Sequence, residues 1–306
     1  MKLPLLLTVF AAVALRATAE TNAVERIERI PELPECIRAM GMRSSRTLQL
    51  TNGVVYYYGR FDALYDLTND LHLLRIDYGD SSVRMRFVDS TTGRIGSRRS
   101  PTSKVAAEHS ALFAINGTFE AGTILAPTPQ GFTRYRDRNI PCGTGEFGGI
   151  AMSPGSSFKF APRWNAGNSA AWSDVITSEA YGLHNGRLVW SPLSANMFGR
   201  ANYTFAGTTP DGVIWIGVVD GRRPGISEGL NYYYVCKLLQ DLGCFEGMCF
   251  DGGGSSTLAI RRKLLPAEPI AETQRVSQYS DDYCTMNSLA DGRERAVINQ
   301  LLFVPK

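Results

Sequence analysis

The sequence is poor in the residues that bind zinc. Its 306 residues include three histidines, which are scattered along the chain, and none of its six cysteines belongs to a C-x-x-C pair. Structural zinc sites need clustered ligands of these two types. A zinc site is therefore not predicted.

A charge bias is also lacking. The chain carries 32 Lys and Arg residues against 29 Asp and Glu residues, which gives a formal net charge of +3 at pH 7. Proteins that bind nucleic acids usually present a concentrated basic face. The sequence therefore predicts no nucleic-acid partner. It also contains no internal repeat and no low-complexity segment.

Long apolar runs are confined to the N-terminus. The segment MKLPLLLTVFAAVALRATA (1–19) combines an early Lys, an apolar run and Ala17-Thr18-Ala19, the small-x-small pattern of a signal-peptidase site. The run is shorter than the roughly 20 residues of a membrane span. We therefore expect a signal peptide over residues 1–19, a secreted or periplasmic protein, and no membrane span after cleavage. In such an oxidising compartment the six cysteines suit disulfides, whose pairing the sequence does not determine.

The remaining chain is predicted to form two parts. Residues 20–65 are an N-terminal extension with a hairpin centred on Asn52-Gly53, a dipeptide that tolerates the positive φ angles of tight hairpin turns. Residues 66–306 form the main domain, in which residues 71–79 and 83–88 have strand patterns.

The most regular passage predicts a strand, a helix and a strand. A nearly all-apolar strand over 213–219 precedes Asp220, a helix capped by Ser227 covers about 230–242, and a short strand leads to Asp251. A parallel crossover would bring both acids to one edge of the sheet, where ligands commonly bind. The predicted fold class is α+β, a mixed twisted sheet with packed helices.

The segment FDGGGSST (250–257) ends this passage. Three glycines allow successive backbone N–H groups to converge on an anion, and the Ser and Thr residues add hydroxyl donors, so the segment suits a phosphate. It is neither a Walker loop nor a G-x-S-x-G elbow, because no Lys follows and Thr257 replaces the last glycine. The alternative is a tight turn whose Asp and Ser cap backbone groups.

Several segments together resemble the phosphodiester glycosidase family. FDGGGSST is similar to the family's LDGGGSST-like hallmark, VDGR (219–222) to a segment that precedes it, and AINGTF (114–119) to AINGGFF. The segments 72–88 and 295–305 resemble the family's opening and closing strands, so the likeness extends over about 66–306. It implies hydrolysis of a sugar that is joined through its anomeric carbon to a phosphodiester, with a phosphorylated carbohydrate or glycan as substrate.

On this resemblance we assign roles as hypotheses. Asp251 is the nucleophile or base and Asp220 the second carboxylate. The substrate-binding residues are Asn116, Arg222, Gly252, Gly253, Gly254, Ser255, Ser256 and Thr257. No cofactor is predicted. A divalent metal held by the two aspartates is left open, because no spacing rule demands it.

The sequence departs from the family pattern at three positions. Tyr203 stands where an arginine of a Pro-Arg-Thr segment is usual, and Thr118 and Glu120 stand where Gly and Phe are usual. These departures favour an alternative, a non-catalytic phosphoglycan- or carbohydrate-binding module on the same fold. A further alternative is a structural extracytoplasmic protein in which FDGGGSST is only a turn.

Overall fold

A computed structural model describes residues 30–306, apart from 91–98, 124–125, 144, 156, 193–198 and 291. The predicted signal peptide lies outside these residues. The chain divides into a short unit, Met1–Glu32, and a large one, Leu33–Lys306. Residues 30–32 of the first unit have no regular secondary structure.

The described residues form mainly strands. The helices are short, with 4, 7 and 10 residues: α1 (Glu35–Arg38), α2 (Thr102–Glu108) and α3 (Tyr232–Asp241). The strands are β1 (Met42–Thr51), β2 (Val54–Leu64), β3 (Leu67–Asp77), β4 (Val83–Asp89), β5 (Phe113–Asn116), β6 (Glu120–Gly122), β7 (Pro127–Pro129), β8 (Thr133–Tyr135), β9 (Arg138–Ile140), β10 (Gly148–Met152), β11 (Phe158–Ala161), β12 (Asp174–Ser178), β13 (Tyr181–His184), β14 (Arg187–Leu188), β15 (Tyr203–Thr208), β16 (Val213–Val219), β17 (Glu246–Gly252), β18 (Leu258–Arg261), β19 (Arg275–Val276), β20 (Tyr283–Thr285) and β21 (Asn299–Pro305).

These strands form antiparallel sheets. An eight-stranded sheet has the order β1-β2-β3-β16-β15-β17-β13-β14, a six-stranded sheet the order β19-β20-β18-β5-β21-β4, and a five-stranded sheet the order β11-β10-β12-β8-β9. A two-stranded sheet pairs β6 with β7. The predicted α+β class with packed helices is therefore wrong, and the fold is mostly β. The physical reason is that hairpin and long-range antiparallel pairing, not helical crossovers, joins nearly all strands.

The predicted strand, helix and strand are β16, α3 and β17, but β15 separates the two strands. β15 pairs antiparallel with both of them, so β16 and β17 run in the same direction without pairing. Tyr203 at the start of β15 is the partner of Val219 on one side and of Gly252 on the other. The two strands therefore end at the same edge of the sheet, as expected, although not as neighbours.

Helix α3 begins two residues later than predicted and has a different cap. The Asn231 side chain accepts a hydrogen bond from the backbone N–H of Tyr234 at 3.0 Å. Ser227, the predicted cap, instead donates its hydroxyl to the carbonyl of Asp220 at 2.8 Å and accepts the N–H of Asp70 at 2.9 Å. The Asn231 cap stabilises the helix by about 1 kcal/mol. Ser227 links the end of β16 to β3 through its two hydrogen bonds.

One apolar core lies between the eight-stranded sheet and the other two large sheets, with Tyr56, Phe87, Ile176 and Phe250 among its members. A second cluster covers the opposite face of the eight-stranded sheet beneath α1 and α3, and a third joins α2 to the six-stranded sheet. The predicted hairpin is present: β1 and β2 are joined at Asn52-Gly53, and Gly53 has a φ of +67°. It pairs with β3 and so belongs to the largest sheet.

The cysteines do not pair in this structure. All six are free thiols, four of them buried, so the predicted disulfides are not formed. In the described part of the chain, no helix is both long and apolar enough to cross a membrane.

Candidate active site

The glycine-rich segment forms a sharp turn between two strands of different sheets. β17 ends at Gly252, a 3-10 turn covers Gly253–Ser255, and β18 begins at Leu258. Gly253 adopts a φ of +59°, which glycine tolerates better than other residues. The turn therefore links the eight-stranded and six-stranded sheets at the edge where β16 also ends.

Two arginines lie against this turn. A Cβ placed on Gly253 would lie 3.2 Å from Nη1 of Arg222, and one placed on Gly254 would lie 2.4 Å from Nη2 of Arg295. Within the described residues, neither guanidinium has a hydrogen-bonding or ion-pairing partner. The glycines thus let two guanidiniums approach the backbone, an arrangement that suits a phosphate.

Asp251 stands directly before the turn. Its carboxylate accepts the N–H of Gly252 at 2.8 Å. Burial raises the pKa of Asp251 above its ordinary value, against the opposing effects of hydrogen bonds from Ser255 and Gly252 and the charge of Arg295. The carboxyl group is therefore partly desolvated and close to a cation, as expected of a group that acts in catalysis.

A cleft of about 270 Å³ opens beside Asp251. Its lining includes Arg99, Thr118, Glu120, Asp251, Ser255 and Arg295, with residues 296–298 completing it. The volume lies just below the range of about 300–1,000 Å³ that is typical of small-molecule pockets. The cleft combines two carboxylates, two arginines and two hydroxyls.

Glu120 supplies the second carboxylate of this cleft. It accepts a hydrogen bond from Nε of Arg99 at 2.7 Å, and its negative charge contributes to the raised pKa of Asp251. Sequence reasoning noted Glu120 only as a departure from the family pattern and assigned it no role. The sequence signal that could have identified Glu120 as a site residue is its position directly after the AINGTF segment, at the start of β6.

Asp220 lies elsewhere. Its side chain is fully buried and accepts the N–H of Ser288 at 2.9 and 3.1 Å. Nε2 of His72 is 3.7 Å and Nη1 of Arg223 is 3.9 Å from its carboxylate. Asp220 is not among the described residues that line the Asp251 cleft. The shared sheet edge therefore does not bring the two aspartates together as a catalytic or metal-binding pair.

Asn116 joins the strands around the site. Its side-chain N–H donates to the carbonyl of Asp251 at 2.8 Å, and its side-chain oxygen accepts from Thr204 at 2.6 Å and from the N–H of Thr257 at 3.1 Å. The side chain is fully buried. These contacts fix the backbone of Asp251 and leave Asn116 little capacity to bind a ligand.

The remaining predicted residues surround the turn. Ser255 lines the cleft, whereas Thr257 donates its hydroxyl to the carbonyl of Ser255 at 3.2 Å. The Ser256 hydroxyl is buried and has no partner among the described residues. A Cβ placed on Gly252 would lie 2.4 Å from the ring of Tyr203, so this glycine admits the aromatic ring.

Among the described residues, no group of three or more His, Cys, Asp or Glu side chains is placed to hold a metal ion. The carboxylates nearest to the turn instead face arginines. The local chemistry is that of an anion-binding site next to a partly desolvated carboxyl group.

The sequence over residues 109–304 matches the family model described as phosphodiester glycosidase. The chain belongs to the phosphodiester glycosidase family. No curated protein sequence matches it.

Solved structures share the fold at low sequence identity. A hypothetical protein from Synechocystis has a TM-score of 0.64 and 12% identity, and the match covers 86% of this chain and 64% of that one. A presumed exported protein from Burkholderia pseudomallei has a TM-score of 0.63 and 12% identity, with 90% and 100% covered. The catalytic domain of zebrafish N-acetylglucosamine-1-phosphodiester alpha-N-acetylglucosaminidase, auto-inhibited by its pro-peptide, has a TM-score of 0.58 and 14% identity, with 89% and 91% covered.

The structure shows what Tyr203 and Thr118 do at the positions where this phosphodiester glycosidase sequence differs from the family pattern. The Tyr203 ring packs over Gly252 and against Tyr232, with ring centroids 4.7 Å apart. The positive charge at the turn comes instead from Arg222 and from Arg295, a residue that sequence reasoning missed. Thr118 lines the cleft, and its backbone N–H donates to the side-chain oxygen of Asn299 at 2.8 Å.

Proposed function

We propose that this member of the phosphodiester glycosidase family hydrolyses a sugar-1-phosphodiester, such as an N-acetylglucosamine-1-phosphodiester, to free sugar and a phosphomonoester. One observation carries the proposal. Two arginine side chains without described partners flank the Gly253–Ser255 turn, and the partly desolvated Asp251 lies directly beside them. A phosphate held at the turn would place its sugar in the Asp251 cleft.

The residues of the cleft support a simple reaction. The bond between the anomeric carbon and the phosphate oxygen breaks, and its electron pair stays on the phosphate. Arg222 and Arg295 stabilise that charge, so the leaving group needs no proton. The carboxylates of Asp251 and Glu120 stabilise the positive charge that develops on the sugar ring. The oxygen of water finally bonds to the anomeric carbon.

Asp251 acts on the sugar as a base or as a nucleophile. As a base it takes the proton of the attacking water, and the anomeric configuration inverts. As a nucleophile it first forms a glycosyl ester, which water then hydrolyses with retention. The anomeric configuration of the sugar at the moment of release, followed by NMR, separates the two routes.

The proposed setting is extracytoplasmic, secreted or periplasmic. The support is the signal-peptide pattern of residues 1–19 and the similarity to a protein presumed to be exported. Phosphorylated glycans that occur outside the cytoplasm are the corresponding substrates.

A panel of sugar-1-phosphodiesters tests the activity, with free sugar as the measured product. The parent protein should release sugar from at least one member, and Asp251→Asn should lower the rate about a thousandfold while it keeps the fold and the affinity for the phosphomonoester product. Asp62→Asn, at an exposed aspartate of β2, is the matched control and should keep full activity. A folded parent that binds the substrates without releasing sugar would instead favour a binding module.

A further inference from the structure

A second cleft lies between the edge strand β4 and the β8–β9 hairpin. Its volume is about 270 Å³, and it shares no lining residue with the Asp251 cleft. Three arginines line it together with three apolar or aromatic residues: Arg84, Arg86, Arg136, Met85, Phe87 and Tyr135. The cleft thus joins two Arg-containing segments that are far apart in the sequence.

The positive charge of this cleft exceeds its negative charge, because two carboxylates, Asp137 and Asp174, line it beside the three arginines. Asp137 lies 3.9 Å from Arg134, and Asp174 accepts the backbone N–H of Arg136 at 2.8 Å. In the part of the chain that the structure describes, the guanidiniums of Arg84, Arg86 and Arg136 have no ion-pairing carboxylate. With three guanidiniums against two carboxylates, the lining keeps a net positive charge for an anionic ligand.

The hairpin fixes the position of Arg136. The two-residue turn between β8 and β9 consists of Arg136 and Asp137, with φ angles of +48° and +65°. The Arg136 guanidinium lies 5.1 Å from the centroid of the Tyr135 ring, and that ring meets Phe87 edge-on at 5.7 Å. The cleft therefore has an aromatic floor and a fixed cation at its rim.

The two clefts are separated along the direction of strand β21. Arg86 of β4 pairs with Leu302 of β21, and Ile298, just before β21, lines the Asp251 cleft. Four residues of extended chain span about 14 Å. A ligand whose anionic groups repeat over such a distance can occupy both clefts.

We propose that the β4–hairpin cleft is an accessory subsite for a polymeric substrate, a chain of sugar units joined by phosphodiesters. The arginines would bind a phosphate of the polymer. The inference rests on the proposed function and specifies its substrate class. It predicts that the enzyme distinguishes a polymer from a single unit through residues remote from Asp251.

The test compares a synthetic four-unit oligomer of sugar-1-phosphate with a one-unit methyl phosphodiester. The double variant Arg86→Gln/Arg136→Gln should raise KM for the oligomer about tenfold, leave kcat unchanged, and leave both constants for the one-unit substrate unchanged. Arg138→Gln, on the same hairpin but outside the cleft, is the matched control and should behave as the parent. Equal KM values for parent and double variant on the oligomer would overturn the proposal.

A binding measurement separates this inference from the proposed reaction. Calorimetry with the same four-unit oligomer should give about tenfold weaker binding for the double variant than for Arg138→Gln, whether or not the parent releases sugar. A neutral oligosaccharide of the same length should bind both proteins equally weakly. Absence of oligomer binding by the parent, or loss of binding in Arg138→Gln as well, would refute the accessory subsite.

Discussion

The raised pKa of Asp251 connects activity with stability. Burial is its main cause, so the folded protein is destabilised by the ionised carboxylate, and this cost disappears when the group is protonated at low pH. In the proposed reaction, ionised Asp251 is the form that acts as base or nucleophile. The rate of sugar release should therefore fall as the pH drops through the raised pKa, at a higher pH than for an ordinary aspartate.

The same linkage predicts a stability gain on substitution. Asp251→Asn keeps an oxygen for the N–H of Gly252 but removes the buried charge, so the melting temperature at pH 7 should rise while activity is lost. The gain should shrink as the pH falls and vanish at about pH 2, well below the ordinary aspartate pKa, where the parent side chain is protonated in both states. Scanning calorimetry at both pH values measures the effect. A melting temperature that falls at pH 7 would contradict the assigned environment of Asp251.

Glu120 and Arg295 show why the composition of a site is harder to predict than its location. The turn 250–257 was found from local residue types, since glycine and hydroxyl residues have a local chemical meaning. Glu120 and Arg295 come from segments more than 130 and 40 residues away from Asp251, respectively, and only sheet pairing brings them to the cleft. Asp220 was predicted from its position at a strand end, but β3 and the Ser288 backbone enclose it.

At the scale of elements, helix α2 anchors the segment that carries Arg295. Glu294 is buried and accepts the N–H of Ser103 at 3.0 Å, in the first turn of α2, as well as the hydroxyls of Ser103 and of Ser277, the latter at 3.0 Å. Negative charge at this end of a helix is favourable. Glu294 therefore ties α2 to the backbone next to Arg295.

Removing this anchor should affect both stability and phosphate binding. Ser103 Oγ and Ser277 Oγ lie 2.6 Å apart, so one hydroxyl can donate to the other, and Glu294→Ala would leave the N–H of Ser103 and one hydroxyl without an acceptor. It should lower the free energy of unfolding by about 2–4 kcal/mol in urea titrations. The affinity for inorganic phosphate should fall as well, because Arg295 loses its support. Glu108→Ala, at the exposed end of α2, is the control and should stay within about 0.5 kcal/mol. A loss confined to stability would limit Glu294 to a folding role.

In the strand–helix–strand segment, the sequence predicts where the secondary-structure elements lie but not the order of the strands in the sheet. Periodicity located β16, α3 and β17, because a fully apolar run and a four-residue repeat are local signals. It did not reveal that β15 lies between β16 and β17, since that depends on pairing with residues 203–208. Because the position of β15 was not predicted, the segment was interpreted as a parallel crossover, and the α+β class followed from that interpretation.

At the scale of the whole molecule, the thiols distinguish this structure from the disulfide-bonded protein that the cysteine count suggested. Cys36 is exposed and Cys142 half-buried, whereas the other four are buried, and burial raises the pKa of the Cys244 and Cys249 thiols. A thiol reagent at neutral pH should therefore modify two cysteines of the folded protein quickly and four only as fast as it unfolds. In denaturant without reductant all six should react. If only four thiols react in denaturant and mass spectrometry finds a cross-linked peptide, the protein contains a disulfide. The packing around that pair of cysteines would then differ from the structure.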